Sequence, residues 1–324
     1  MPASSWPASP WIVLAAAGIE AVVGYPDALH RRVPHPVVWV GALISLLERM
    51  LNQSAFGELF RRLLGVFTLL SLVAVSAAAG WLITRYGGPW AVVAVGWLGL
   101  AQRNLWDHVR MVAKPLAAGD VEGARAAVGM IVGRDVAQLS ENDIATAAIE
   151  SLAESFCDGV VAPLFWFVVA GLPGLFVYKA VNTADSMIGH REPRWRSFGW
   201  ASARCDDVLN LIPARLAGVL VALAAMFISK RCGGWRVMLR DAGKHASPNA
   251  GWPEAAMAGA LGVRLGGPAW YDGALSQRPV LGEGRAPTPV DLARAMRVYL
   301  VACGLLWLML AALGFLWGGF AWPR

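Results

Sequence analysis

The chain has 324 residues, of which 57% are hydrophobic and 15% are charged, and its formal net charge is +6. Soluble domains carry about 25% charged residues, so this composition argues against a soluble protein. The 16 tryptophans are typical of a protein that meets membrane interfaces, where indole rings collect. Basic residues form no dense stripe interleaved with aromatic side chains, so no nucleic-acid partner is expected. The predicted class is all-α, a polytopic integral membrane protein.

The four cysteines show neither the spacing of a zinc site nor that of a disulfide framework. They are interpreted as free thiols that act as small buried apolar groups. The first residues lack the basic cluster of a cleavable signal peptide, so the first apolar segment is expected to stay in the mature protein.

Apolar segments in the first third of the chain predict four helices. Residues 11–24 form a first helix, and residues 37–51 form a second that is short for a span and could lie along the interface. Residues 63–84 and 90–105 are predicted to form a helical hairpin, because the glycines and proline of 85–89 favour a tight turn.

Two helix starts are predicted in the more polar stretch that follows. Asp120 is expected to cap a small helix that ends near Gly133. Ser140 and Asp143 fit a capping box at the start of another helix.

Three carboxylates recur every fourth residue on the helix that begins after Ser140, at Glu150, Glu154 and Asp158. Their common face drifts by only about 80° around the helix axis. Such a face is repulsive unless a metal ion or arginines lie opposite it. Because the helix runs straight into an apolar segment, the pattern favours a functional site over a solvated acidic face.

The apolar segment 160–181 contains Gly171-Leu172-Pro173-Gly174, which predicts a broken helix or a re-entrant hairpin. Positive charge favours the cytoplasmic side for three connecting segments. These segments are 103–155, 179–204 and 229–297. At least one of the segments 160–181 and 208–228 is therefore expected not to cross the membrane.

The C-terminal part is predicted as a short apolar helix at 216–228, a polar region at 230–297 and a last transmembrane helix at 299–320. Within the polar region, Pro253 suits a first helical turn, and Glu254 beside it favours the positive end of the helix dipole.

Small residues follow at 255–260 and predict close helix packing. The sequence has no internal repeat, and residues 1–324 are expected to form a single domain.

Asp and Glu side chains in the central blocks are hard oxygen ligands suited to Mg²⁺ and, through it, to phosphate. Arginine, lysine and histidine side chains nearby could hold anionic groups. No phosphate-binding glycine loop and no nucleophile elbow is present. The residues alone leave a Mg²⁺-dependent phosphate-handling membrane enzyme or a transporter. The enzyme is favoured because no inverted repeat is seen.

The central and C-terminal blocks resemble those of the CobD/CbiB family of cobalamin-biosynthesis membrane proteins. The matching blocks are Gly133-Arg134-Asp135, Ala148 to Glu154, Asp158 to Leu164, Tyr178 to Met187, Phe198-Gly199-Trp200, Ala203-Arg204, Asp206 to Asn210, Pro213 to Arg215, Arg240-Asp241 and His245 to Ala255. The resemblance covers nearly the whole chain, and so many ordered matches make it specific.

The resemblance implies an adenosylcobinamide-phosphate synthase. In that reaction the free propionate of adenosylcobyric acid is joined through an amide to aminopropanol or aminopropanol phosphate. Forming an amide from a carboxylate needs activation, so ATP and Mg²⁺ are the expected co-substrate and metal. The lipid bilayer and other late cobalamin-pathway enzymes are the other expected partners. The expected location is the bacterial inner membrane, multi-pass, with the active site facing the cytoplasm.

Site residues follow from the matching blocks. Catalysis is expected from Glu150, Glu154, Asp185 and His245. Substrate or phosphate binding is expected from Arg134, Asn182, Arg204, Arg215, Lys244, Ser247 and Asn249. The metal is expected on Glu154, Asp158, Asp185, Asp206 and Asp207. The non-catalytic alternative is a membrane tether for the late corrinoid-pathway enzymes.

Overall fold

The computed structural model describes residues 9–26, 35–190, 192–229 and 233–318. Helices dominate it, which confirms the predicted all-α class. Numbered along the described residues, the helices are α1 Pro10–Val23, α2 Pro36–Leu51, α3 Glu58–Gly96, α4 Gln102–Ala117, α5 Val121–Val128, α6 Glu141–Phe156, α7 Ala162–Ile188, α8 Trp200–Leu209, α9 Leu211–Ser229, α10 Gly233–Asp241, α11 Gly251–Leu261 and α12 Pro289–Gly318.

Four helical stretches among the described residues are long and apolar enough to cross a membrane. They are Glu58–Ala117, Glu141–Ile188, Leu211–Ile228 and Pro289–Trp317. Helix α1 is apolar but shorter. The prediction of a polytopic membrane protein is therefore confirmed, while the sidedness of each segment stays a prediction.

The chain divides into two compact units, and each is assembled from separate stretches of sequence. The first unit comprises Met1–Ala101, Ala162–Asn210 and Leu310–Arg324, and the second comprises Gln102–Val161 and Leu211–Met309. Neither unit is a continuous stretch of sequence, and the single domain over residues 1–324 stays a prediction.

The break predicted inside residues 160–181 is present in α7. Ala170 leaves helical geometry, with φ −131° and ψ 20°, and Gly171 adopts φ 62° and ψ −160°. A positive φ is accessible to glycine at little cost because it lacks a Cβ. Pro173 then lies in the first turn of the second half of the helix, where a missing N–H costs no hydrogen bond.

The predicted hairpin of helices 63–84 and 90–105 is only partly right. Helix α3 breaks at Gly88, whose φ of 71° makes the expected turn. The returning segment then ends at Gly96 and not at residue 105. A 3₁₀ turn closes with the N–H of Leu100 on the carbonyl of Trp97 at 3.1 Å, and Leu100 is extended. That turn ends the hydrogen-bond ladder, so α4 begins as a separate helix.

Both predicted helix caps are confirmed. The carboxylate of Asp120 accepts the N–H of Gly123 at 2.9 Å, and Ser140 and Asp143 bond each other's backbone N–H groups as a capping box. Helix α5 ends at Val128, so the predicted stop at Gly133 is wrong. The N–H of Gly129 completes the last turn by bonding the carbonyl of Arg125 at 3.0 Å.

The polar region 230–297 holds a β-arm, residues 264–282, that sequence analysis did not predict. Strand β1 Arg264–Gly266 pairs antiparallel with β4 Val280–Gly282, and β2 Ala269–Tyr271 pairs with β3 Ala274–Ser276. Asp272 and Gly273 turn the tip with φ of 49° and 73°. Positive φ at both central residues is the geometry of a type I′ hairpin turn.

Helices α9, α10 and α11 pack together in the second unit. A Cβ on Gly259 of α11 would overlap the carbonyl oxygen of Gly233 in α10, so the prediction of close packing by small residues is confirmed. The last helix begins at Pro289, earlier than the predicted Tyr299, and residues 319–320 of that prediction lie outside the described residues.

Candidate functional site

Glu150 is the centre of a buried ionic cluster in the second unit. Its side chain lies on α6 and the residue is 3% exposed. The carboxylate accepts hydrogen bonds from the backbone N–H of Gly266 at 2.6 Å, from Arg278 Nη2 at 3.1 Å to each oxygen, and from Arg134 Nη2. A metal ion or arginines were expected opposite the acidic helix face, and arginines are present at this position.

Arg134 reaches Glu150 because the β-arm fixes the loop that carries it. The N–H of Asp135 donates to the carbonyl of Trp270 at 2.9 Å, and the Asp135 carboxylate accepts the N–H of Gly273 at 2.9 Å. The Arg134 side chain is only 9% exposed. Its Nε is buried and has no hydrogen-bond partner among the described residues. A buried donor left unsatisfied costs about 1–3 kcal/mol, so an acceptor atom that bonded to this N–H would stabilise the site.

Arg278 was not predicted as a site residue. It follows β3 in the arm, and its Nε donates to the carbonyl of Gly267 at 3.3 Å. Burial works to lower the pKa of Arg278, but the Glu150 carboxylate raises it on balance. Its partner Glu150 lies far away in sequence and on a different element, so no local sequence pattern predicts the ion pair.

His245 faces Glu254 at the edge of this cluster. The distance from His245 Nε2 to Glu254 Oε1 is 3.7 Å. Glu254 is 4% exposed, and burial, together with the charges of Glu150 and Glu154, raises its pKa well above the ordinary value. Burial also lowers the pKa of His245. Both groups are therefore favoured in their neutral forms.

The backbone of Ser247 holds one nitrogen of the His245 ring. Its N–H lies 3.0 Å and its carbonyl oxygen 3.3 Å from His245 Nδ1. The other ring nitrogen, Nε2, faces Glu254. From the sequence, Glu254 was explained only through the helix dipole, so its part in the site was missed.

The other two carboxylates of the predicted acidic face do not share the surroundings of Glu150. Glu154 is exposed, and Asp158 is half-buried in a π-helical turn, Cys157–Val161, that follows α6. That turn changes the helical repeat after Phe156, so Asp158 no longer keeps the face of Glu150. Glu154 nevertheless lies near enough to raise the pKa of Glu254.

Other predicted binding residues of the second unit stabilise the loop before α11. Ser247 Oγ accepts the N–H groups of Asn249 and Ala250, both at 3.2 Å. Arg215 donates to Asn249 Oδ1 at 3.3 Å and lies over the Trp252 ring at 4.6 Å. These contacts hold His245 and the start of α11 in place.

Lys244 is engaged with a different carboxylate. Its Nζ lies 2.6 Å from Oδ1 of the fully buried Asp241, which also accepts from Arg240 and from the backbone N–H of Gly282. Hydrogen bonds from Arg240 hold the pKa of Asp241 far below its ordinary value. The Lys244 ammonium thus helps to anchor the base of the β-arm.

In the first unit, Asp206 is held by amides instead of arginines. Asn182 Nδ2 donates to its Oδ1 at 3.2 Å, and Asn210 Nδ2 donates to its Oδ2 at 3.0 Å. The Tyr178 hydroxyl donates to Asn210 Oδ1 at 3.0 Å and extends this amide network. Burial raises the pKa of Asp206 although both amides act to lower it.

The remaining predicted residues of the first unit are more accessible. Arg204 Nη1 lies 3.0 Å from Asp207 Oδ2 on one exposed turn of α8. Asp185 is half-buried near the end of α7.

The five predicted metal ligands are divided between the units. Glu154 and Asp158 belong to the second, and Asp185, Asp206 and Asp207 belong to the first. Within the described ranges, no three His, Cys, Asp or Glu side chains come together as a metal-binding group. The metal role of these five side chains stays a prediction. Magnesium brought by ATP needs fewer protein ligands, because phosphate oxygens and water complete its coordination.

Known proteins are similar to this chain over almost its whole length. A family model described as CobD/Cbib protein matches residues 13–299. The Cobalamin biosynthesis protein CobD of Rhodobacter capsulatus is 49% identical over 312 residues, covering 94% of this chain and 98% of that protein. The proteins of the same name from Rhizobium meliloti and Geobacter metallireducens are 45% and 43% identical, each covering 93% of this chain and 95% of the relative. No solved structure matches the chain.

Proposed function

The chain belongs to the CobD/CbiB family of cobalamin-biosynthesis proteins, and we propose that it is the carbon–nitrogen ligase of that pathway. In this proposal it joins the free propionate of adenosylcobyric acid to (R)-1-aminopropan-2-ol or its O-phosphate. The reaction consumes ATP and yields adenosylcobinamide or its phosphate. The enzyme would lie in the bacterial inner membrane with its site on the cytoplasmic side, where ATP is available.

The observation that carries the proposal is the buried cluster around Glu150. Two guanidinium groups converge on one carboxylate, and His245 and Glu254 lie beside them. Amide ligation requires anion binding and proton transfer at one place, and this cluster offers groups for both.

When the propionate is activated, negative charge develops on the oxygens of the transferred phosphoryl or adenylyl group. The propionate oxygen attacks ATP and forms an acyl phosphate with release of ADP, or an acyl adenylate with release of pyrophosphate. Arg134 and Arg278 would hold the phosphate oxygens through charge-assisted hydrogen bonds. Glu150 acts as a positioning residue, because its carboxylate already accepts from both arginines.

Amide formation then needs a free amine. The substrate ammonium loses a proton, its nitrogen attacks the acyl carbon, and phosphate or AMP leaves. The ionised form of Glu254 would accept that proton, and a carboxylate whose pKa is raised is a stronger base. His245 Nε2 lies 3.7 Å from Glu254 Oε1 while the Ser247 backbone holds the other ring nitrogen, so His245 orients the carboxyl.

The test of the proposal is an assay of the purified protein in detergent with Mg²⁺ and ATP. ATP should be consumed only when adenosylcobyric acid and the amine are both present, with one amide formed for each ATP. Mass spectrometry measures the product and an enzyme-coupled assay measures ADP or AMP. Amide formation without ATP would overturn the ligase mechanism.

The predicted carboxylates outside the cluster are tested in the same assay. If Glu154 and Asp185 hold the nucleotide's magnesium, Glu154→Gln and Asp185→Asn should each lower turnover by about tenfold or more. Glu122→Gln is the matched control, because this carboxylate is paired only with Arg125 at the surface in the described structure. Full activity in both site variants would remove these residues from the mechanism.

A further inference from the structure

The β-arm places a second arginine, Arg278, beside Arg134, although nothing in the local sequence marks it as a binding residue. The backbone of the β-arm can approach Glu150 because Gly266 adopts a φ of 80°. A Cβ on Gly266 would overlap the carbonyl oxygen of Pro279. The N–H of Gly266 then donates directly to Glu150. The arm is thus shaped to bring one guanidinium to the cluster.

Arg134 and Arg278 both contact Glu150 through Nη2. A guanidinium group has five N–H donors, so each arginine keeps donors that Glu150 does not occupy. Those donors can bind the oxygens of an anionic ligand.

The burial of Arg134 and the exposure of Arg278 also favour an anionic ligand. Arg134 Nε is buried and unpartnered in the part of the chain that the structure describes. The Arg278 side chain is 20% exposed, so it can be reached from solvent. Phosphate oxygens suit such a pair, because the planar guanidinium fork matches phosphate geometry.

We propose that Arg278 and Arg134 form a phosphate-binding site in which the β-arm supplies the second arginine. The inference deepens the proposed ligase function and rests on it for the choice of ligands. The phosphate can come from the triphosphate of ATP or from the O-phosphate of the amino alcohol.

Equilibrium binding without turnover distinguishes these two sources. MgATP and O-phosphorylated aminopropanol are titrated separately against the full-length protein in detergent, for the wild type, Arg278→Gln, Arg278→Lys and Arg264→Gln. Arg264 is the matched control, because it lies on the same arm and its side chain is exposed.

Arg278→Gln should weaken binding of one of the two ligands by about tenfold or more, because it removes charge-assisted hydrogen bonds. Arg278→Lys should bind with intermediate affinity, and Arg264→Gln should bind like the wild type. The ligand that loses affinity identifies the source of the phosphate. If Arg278→Gln does not fold, the Arg278→Lys titration decides alone.

Three results would overturn the site: wild-type affinity for both ligands in the Arg278 variants, an equal loss in Arg264→Gln, or no binding of either ligand by the wild type. Binding that depends on Arg278 in a protein that forms no amide would support the site. That result would refute the proposed ligase function alone.

Discussion

The Glu150 cluster and the Asp206 network use similar residues for different chemistry. Glu150 accepts from two arginines and a backbone N–H, whereas Asp206 accepts from two side-chain amides. Arginines stabilise an ionised carboxylate. Amides satisfy the oxygens of a buried carboxyl without supplying a full charge. The comparison shows that the partners of a buried acid, more than its residue type, decide what it can do.

The largest stability difference between the two regions should come from neutralising each carboxylate in turn. Glu150→Gln leaves two largely buried guanidinium groups without their counter-charge, which should destabilise the protein by about 3–5 kcal/mol. Asp206→Asn disturbs one neutral amide contact, at a cost of about 1 kcal/mol. Thermal unfolding in detergent measures both. Equal losses would show that the arginines do not depend on Glu150 for compensation.

Close backbone approaches position α11, which carries Glu254, and α8, which carries Asp206, and alanine substitution tests them. A Cβ on Gly251 would overlap the Ala242 carbonyl oxygen and lie 2.7 Å from His245 Cβ, and one on Gly199 would overlap the Ile188 carbonyl oxygen. Each substitution should destabilise by about 1–3 kcal/mol. Gly304→Ala in α12 is the control, because its Cβ would meet nothing within 4 Å. Only Gly251→Ala should also alter the pH dependence of stability, because α11 carries Glu254.

The pH dependence of stability should report on Glu254. Its pKa in the folded protein lies well above the ordinary 4.5, so its contribution to stability is full below pH 4.5 and is lost as the pH rises through the folded-state pKa. His245 acts in the opposite direction. Its pKa is lowered from 6.5, so its contribution is present above pH 6.5 and is lost as the pH falls through the folded-state pKa.

Glu254→Gln keeps a neutral side chain of the same shape, so the unfolding midpoint should no longer decline as the pH rises above 4.5. The groups facing Glu254 are Glu150, Glu154, Arg134, Arg278 and His245. Glu122→Gln should retain the wild-type profile, because that carboxylate is at the surface. A variant Glu254→Gln with an unchanged profile would show that Glu254 does not titrate as inferred.

The smallest effect on stability is expected at Asp207. Its pairing with Arg204 lies on the protein surface, and exposed ion pairs contribute about 0–1 kcal/mol. Asp207→Asn should therefore shift the unfolding midpoint very little. A fall in turnover with unchanged stability would support the predicted metal role, whereas full turnover would remove it.

Local patterns predicted most helices because caps, glycines and apolar runs act over a few residues. Ser140 and Asp143 form the expected box, and Gly171 breaks α7 inside the predicted segment. The return helix was extended too far because hydropathy does not register the 3₁₀ turn before Leu100.

The candidate site could be predicted only in part. The acidic helix face predicted a metal ion or arginines opposite it, and arginines contact Glu150. It did not identify Arg278, whose position depends on an arm formed by long-range strand pairing. Glu254 was also missed, because its burial becomes visible only when α11 is packed. The metal ligands stay a prediction, although the structure gives Asp206 two amide partners that the sequence did not predict.

Single-turnover amide formation by Glu254→Gln and Asp206→Asn, each at matched amounts of folded protein, tests the account most directly. Loss of the acid–base group should slow Glu254→Gln by about 100-fold or more, while Asp206→Asn should stay within about tenfold of the wild type. The reverse order, with Asp206→Asn nearly inactive and Glu254→Gln close to wild type, would contradict the assignment of the chemistry to the Glu150 cluster.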